Sequence, residues 1–240
     1  LAQWRVKWLI EHSTSHQLLW FNDSFVLRNP PLHQAPKRYQ QAYRHTKKRT
    51  MTTLTESINQ IVNLTLDEKN AIEKAFDTLN IAKGDLWVNQ GEICGQVAFV
   101  VSGKLRNFYF DEGGNEVTCF FVTEDNFVSA FTSFLTNTPT HENISALEDT
   151  VLRVISKKDL EELSILVPKM QIFRRVIAEN LFIIMEKRIV TMQSHSAHER
   201  YEKMLRENPE IILTVPLQYT ASFLGITPQH LSRLRKELLK

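Results

Sequence analysis

Six of the seven glycines in this 240-residue chain fall between Gly84 and Gly114, where they punctuate short β-prone runs at 85–89, 96–101, 104–110 and 116–123. Glycine adopts positive φ without steric cost, so glycines spaced this densely between apolar runs mark tight turns. The strongest is Asp111-Glu112-Gly113-Gly114-Asn115, a hairpin signal with Gly113 expected at the turn. Further β-prone runs follow at 144–146 and 151–155. Runs this short and close leave no room for the crossover helices a parallel sheet requires. They predict an antiparallel roll or barrel of the jelly-roll kind.

Helical patterning frames that region, so the fold class is α+β. Apolar residues from Ile58 to Leu79 recur at helical spacing, and Asp67 and Glu68 suit a helix start, which predicts a helix or helix pair over 57–79. The period returns at 158–166. Pro168 then fits the first turn of a much longer helix running to about Ser196. This helix carries two apolar stripes. Met170, Phe173, Ile177, Leu181 and Ile184 form one, and Phe182, Met185, Ile189 and Met192 the other. One stripe can pack on the chain's own roll. The other needs a partner, which a second copy of the same helix would supply; the alternative is a single helix buried between two domains.

The C-terminal segment has its own internal logic. A helix over 217–224 holds small Ala221 where another helix must pass closely, and Gly225 suits the left-handed residue that ends it. Ile226 can plug the angle, Thr227 can cap the next helix and Pro228 fits its first position. That helix would bury Leu231, Leu234 and Leu238 and present Gln229, His230, Ser232, Arg233 and Lys236. Long donors on the exposed N-terminal half of a helix suit the DNA major groove. An ordinary helical hairpin with a solvated polar face has the same periodicity.

Charge and cysteine usage narrow the classes. Residues 1–50 hold nine Lys/Arg against two Asp/Glu, whereas 51–240 hold 20 against 25. DNA contact must therefore come from a local basic patch. The first 50 residues also hold Trp4, Trp8, Trp20 and the Pro30-Pro31 pair, which suits neither a disordered arm nor a packed domain. They read as an atypical basic extension, not native to a protein whose natural start is Met51, with a nucleic-acid arm as the alternative. No membrane span or signal pattern is apparent, and Cys94 and Cys119 have no metal-ligand spacing, so a reduced cytoplasmic protein is expected. An enzyme of the metal-dependent cupin kind would need several histidines on the strands; 84–155 has only His141. No enzymatic activity and no metal site are expected.

The stretch PLQYTASFLGITPQHLSRLRK, residues 216–236, resembles the helix-turn-helix of the Crp–Fnr family of transcription regulators, which contains the cyclic-AMP receptor protein. Lys83-Gly84-Asp85, Gly91 and AFVVSGKL (98–105) resemble the opening strands of that family's cyclic-nucleotide-binding roll, and ALEDTVLRVI (146–155) its closing strands. The resemblance spans about 51–240. It implies a sensor roll over 51–166, a dimerisation helix over 167–197 and a DNA-binding domain over 198–240. It further implies a homodimer on a palindromic operator in double-stranded DNA, with RNA polymerase as a further partner. Position matching points Thr227, Gln229 and Arg233 at the bases, with His230 and Ser232 beside them and Arg235 and Lys236 toward phosphate or solvent. A protein-interaction module on the same fold is the alternative.

The nucleotide pocket departs from the family pattern. The Gly-Glu pair that holds the ribose falls at Ser129-Ala130, after Phe127, and the arginine that holds the phosphate falls at Thr140, followed by His141 and Glu142. Without a guanidinium a buried phosphate loses its bidentate contact, and Glu142 would repel it. The pocket therefore reads as degenerate: no cyclic nucleotide is expected as cofactor, and the effector is left open.

Overall fold

A computed structural model describes residues 52–238, and of Leu238 the backbone alone. The expected N-terminal extension, residues 1–50, lies outside them. Helices α1 (Leu54–Asn59) and α2 (Leu66–Ala75) each start at a capping box. Thr53 or Thr65 accepts from the backbone N–H of Glu56 or Glu68, whose carboxylate reaches back to the threonine N–H. Helix was expected through Leu79. Instead the backbone extends at Phe76, and Asp77–Ile81 form β1, paired along its length with β8 (Thr150–Ser156). Arg153 of β8 fixes the break by donating to the carbonyls of Glu73 and Phe76.

The remaining strands are β2 (Leu86–Val88), β3 (Gln96–Ser102), β4 (Leu105–Phe110), β5 (Glu116–Val122), β6 (Phe127–Val128) and β7 (Asn143–Ala146). All pairings are antiparallel, in two four-stranded sheets ordered β1-β8-β3-β6 and β2-β7-β4-β5. This is the antiparallel roll expected. In the β4–β5 turn the positive φ falls on Gly114, one residue beyond the expected Gly113. Val100, Leu105, Ile144, Ala146 and Leu152 fill the space between the sheets. A second core joins the roll to its helices, including the short α3 (Phe131–Thr136) and α4 (Lys157–Leu166).

Helix α5 (Lys169–Ser194) follows and divides its stripes as its sequence requires. Met170 and Phe173 are buried against the roll, with Ile177 packed beside them. Phe182 (71% exposed), Met185 and Ile189 (56%) face outward, while Met192, partly exposed, lies against Gly225. No helix among the described residues is long and apolar enough to cross a membrane. After α5 come α6 (Ala197–Glu207), α7 (Pro209–Thr214), α8 (Leu217–Phe223) and α9 (Pro228–Leu238). Tyr201, Met204, Ile211, Ala221, Leu224, Leu231 and Leu234 make a third core, which Phe121 of β5 joins.

Candidate nucleic-acid interface and effector site

Ala221 is fully buried where α8 meets α9. Gly225, at φ +66°, turns the chain, and the N–H of Ile226 reaches back to the carbonyl of Ala221 at 2.9 Å. Thr227 caps α9 by accepting from the N–H of His230 at 3.2 Å, and Pro228 opens the helix. Leu231 and Leu234 point into the core. Gln229, Arg233 and Lys236, spaced by four and three, form one exposed stripe, with Thr227 and His230 exposed at its head and Ser232 half-buried. A row of amide and guanidinium donors on a convex helix can meet base edges and phosphates together.

Arg235 departs from the expected list. It lies four residues after Leu231, hence on the core side. Its Nη2 donates to the Ile212 carbonyl at 3.2 Å and it bonds with Tyr201. Burial lowers its pKa, and it ties α9 to α6 and α7 instead of reaching toward phosphate.

The expected effector residues divide. Phe127 stacks at 5.1 Å on both Phe99 and Phe173, in the core shared with α5. Ser129 donates to the Gln96 carbonyl at 2.8 Å and touches the Cys94 sulfur. Ala130 is buried at the start of α3. Thr140 accepts from the Glu142 N–H at 2.9 Å, and its backbone is bonded to Gly91 and Glu92. His141 is exposed, with Nε2 3.9 Å from the Glu142 carboxylate. Thus Ser129 and Thr140 are engaged with the protein itself, and the half-buried ionisable group beside them, Glu142, is an acid, with His141 exposed.

The sequence reading missed Asn107. Opposite Ile144 across β4–β7, it shares that core residue's face of the sheet. Its Nδ2 donates to Glu142 Oε2 at 3.3 Å while its buried Oδ1 has no partner. A lone asparagine within a β run carries no periodic signal. Burial pushes the Glu142 carboxyl above its ordinary range, opposed by His141 and the Asn107 bond. Burial, with Glu142 adding to it, pushes the Cys119 thiol up to about 11, so this cysteine is not a thiolate at neutral pH. Because the folded-state pKa of Glu142 is raised, its contribution is favourable at low pH and is lost as pH rises through that value. Glu142→Gln should therefore melt higher than the parent at pH 8, the two converging below about pH 4. A lower melting temperature at pH 8 would show the carboxylate to be favourably paired. Among the described residues no three His, Cys, Asp or Glu side chains gather as a metal site.

Residues 78–164, from β1 into α4, match the family described as the cyclic nucleotide-binding domain. A mutant CooA from Carboxydothermus hydrogenoformans is 17% identical with a TM-score of 0.58, covering 79% of this chain and 86% of that one. The c-di-GMP-responsive global regulator CLP of Xanthomonas campestris is 15% identical with a TM-score of 0.58, covering 72% and 91%. A regulator assigned to the Crp/Fnr family from Eubacterium rectale is 19% identical with a TM-score of 0.51, covering 73% and 84%. No curated protein sequence matches the chain. The chain thus carries a cyclic-nucleotide-binding-like domain within the fold of the Crp–Fnr transcription regulators.

Proposed function

We propose that this protein is a dimeric transcription regulator that reads a palindromic operator in double-stranded DNA with α9, and whose sensor roll does not take cyclic AMP. The observation that carries the reading is the exposed stripe Gln229, Arg233 and Lys236 on a helix whose other side is locked into a helix-turn-helix core. The outward apolar stripe of α5 supports self-association. The acid at Glu142, the neutral Thr140 where the resemblance expects an arginine and the internally bonded Ser129 support the exclusion of a cyclic phosphate.

Selection from random duplexes with the full chain should recover a two-fold symmetric sequence with half-sites about one helical turn apart. Failure to enrich any sequence, in buffer or in cell extract, would instead favour a protein-binding role for the same fold. On the selected operator, Arg233→Ala should cost about 1–3 kcal/mol and relax preference at one base-pair position per half-site. Lys236→Ala should weaken all sequences alike and reduce the salt slope by about one per half-site. Unchanged operator affinity in Arg233→Ala would remove the reading face from α9.

A further inference from the structure

Helix α8, the non-reading helix of the pair, is gripped by arginines from three other elements: Arg106 of the sensor roll, Arg188 of α5 and Arg200 of α6. It lies over β5, the outer strand of its sheet. There Ser222 Oγ accepts from the Thr118 N–H and donates to the Glu116 carbonyl, both at 2.9 Å, replacing the neighbour strand that β5 lacks. Beside it Arg106 of β4 is almost wholly buried, with Nε on Thr118 Oγ1 at 2.9 Å and Nη1 on Glu116 at 2.6 Å. Its guanidinium is stacked by Phe108 and, 3.6 Å from the ring centre, by Tyr219 of α8.

The other end of α8 is held from α5 and α6. Arg188 donates to the Phe223 carbonyl at 3.0 Å and lies 4.0 Å from that residue's ring centre. Arg200 donates to the Leu224 carbonyl at 3.0 Å. Both cations therefore meet the negative end of the helix dipole. Among the described residues Arg188 has no carboxylate within ion-pair distance, so charge pairing does not explain its place; its hydrogen bond and its nearer ring contact are both to Phe223 of α8, with the Phe120 ring of β5 farther off at 5.9 Å. The turn after α8 also abuts α5, since a Cβ on Gly225 would come within 2.7 Å of Met192 Cε.

Arg188 and Ile189 are neighbours on α5 that face different ways, Arg188 toward the reading domain and Ile189 outward with the apolar stripe. Between α5 and α6 lie only His195 and Ser196. We infer that Arg106 and Arg188 are positioning residues of DNA reading: by fixing α8 to the sensor and to α5, they set the distance between the two reading helices of the dimer and hence the half-site spacing the protein accepts. This rests on the dimeric DNA-binding reading proposed above.

The test uses the full chain on its selected operator and on versions with the half-sites moved one or two base pairs closer or farther apart. The parent should lose at least about tenfold in affinity per base pair of displacement, because each base pair also rotates one half-site around the duplex. Arg188→Met and, separately, Tyr219→Leu should flatten that profile to within about threefold while leaving the base preference of a single half-site unchanged. A role in stability alone would lower affinity at every spacing equally. Amide exchange of α8 without DNA should be about tenfold faster in both variants, with α5 unchanged. A parent spacing profile retained in either folded variant overturns the inference while leaving the proposed function standing. A parent that selects no spaced palindrome overturns both, and unchanged exchange in α8 removes the clamp itself.

Discussion

Replacing Phe182 and Ile189 together by glutamate is expected to leave a folded chain that no longer self-associates and to lower affinity for a palindromic operator by about 10²–10⁴-fold. Neither side chain belongs to a core of the described chain, and both are exposed, Phe182 at 71% and Ile189 at 56%. Placing glutamate there empties no buried core site, so folding should survive. In a symmetric pair each substitution counts twice. Covering one such apolar side chain is worth roughly 1.5–3 kcal/mol, and four carboxylates would have to be desolvated on the same face. The affinity loss follows because one head reads only half the site, and the second contact ceases to be intramolecular. Sedimentation should report a monomer, and titration of a single half-site should give the parent's affinity. A dimer that persists would move the self-contact away from α5.

How much of this was legible in the sequence depended on whether a signal was periodic or positional. The β-prone runs of β3, β4, β5 and β8 each extend over six or seven residues, and α5 repeats its apolar stripes over several turns. The helix-turn-helix was legible through residues with single mechanical roles: Ala221 at the crossing, Gly225 at the positive-φ turn, Thr227 at the cap. Two-residue β6 is too short to show a period. The strand β1 was hidden because Phe76 and Leu79 also fit a helix, and what decides the outcome, pairing with β8 and the bonds of Arg153, comes from residues distant in sequence. Arg235 looked like a surface cation because its partners come from α6 and α7, remote in sequence. Asn107 and Arg106 were missed for the same reason: their meaning lies in opposite faces of one strand, one toward Glu142 and the other toward Tyr219.

Phe99→Ala is expected to cost about 3–5 kcal/mol, the range for emptying a buried aromatic site. Phe99 is wholly buried in β3 and starts a chain of rings, with Phe127 of β6 at 5.1 Å and Phe173 of α5 at a further 5.1 Å. The cavity would therefore open where the roll meets the helix that carries the outward stripe. For scale, the exposed Lys158–Glu162 pair on α4 lies in the class worth about 0.3–0.5 kcal/mol. Losing Phe99 should outweigh several such pairs combined and consume a large part of the roughly 5–15 kcal/mol that holds a typical domain together. Denaturant unfolding should show an earlier midpoint with an unchanged slope, while Phe99→Leu, which refills most of the volume, should recover more than half of the loss. If alanine costs under about 1 kcal/mol, the site has collapsed around the void, and the three rings are not the joint between roll and helix.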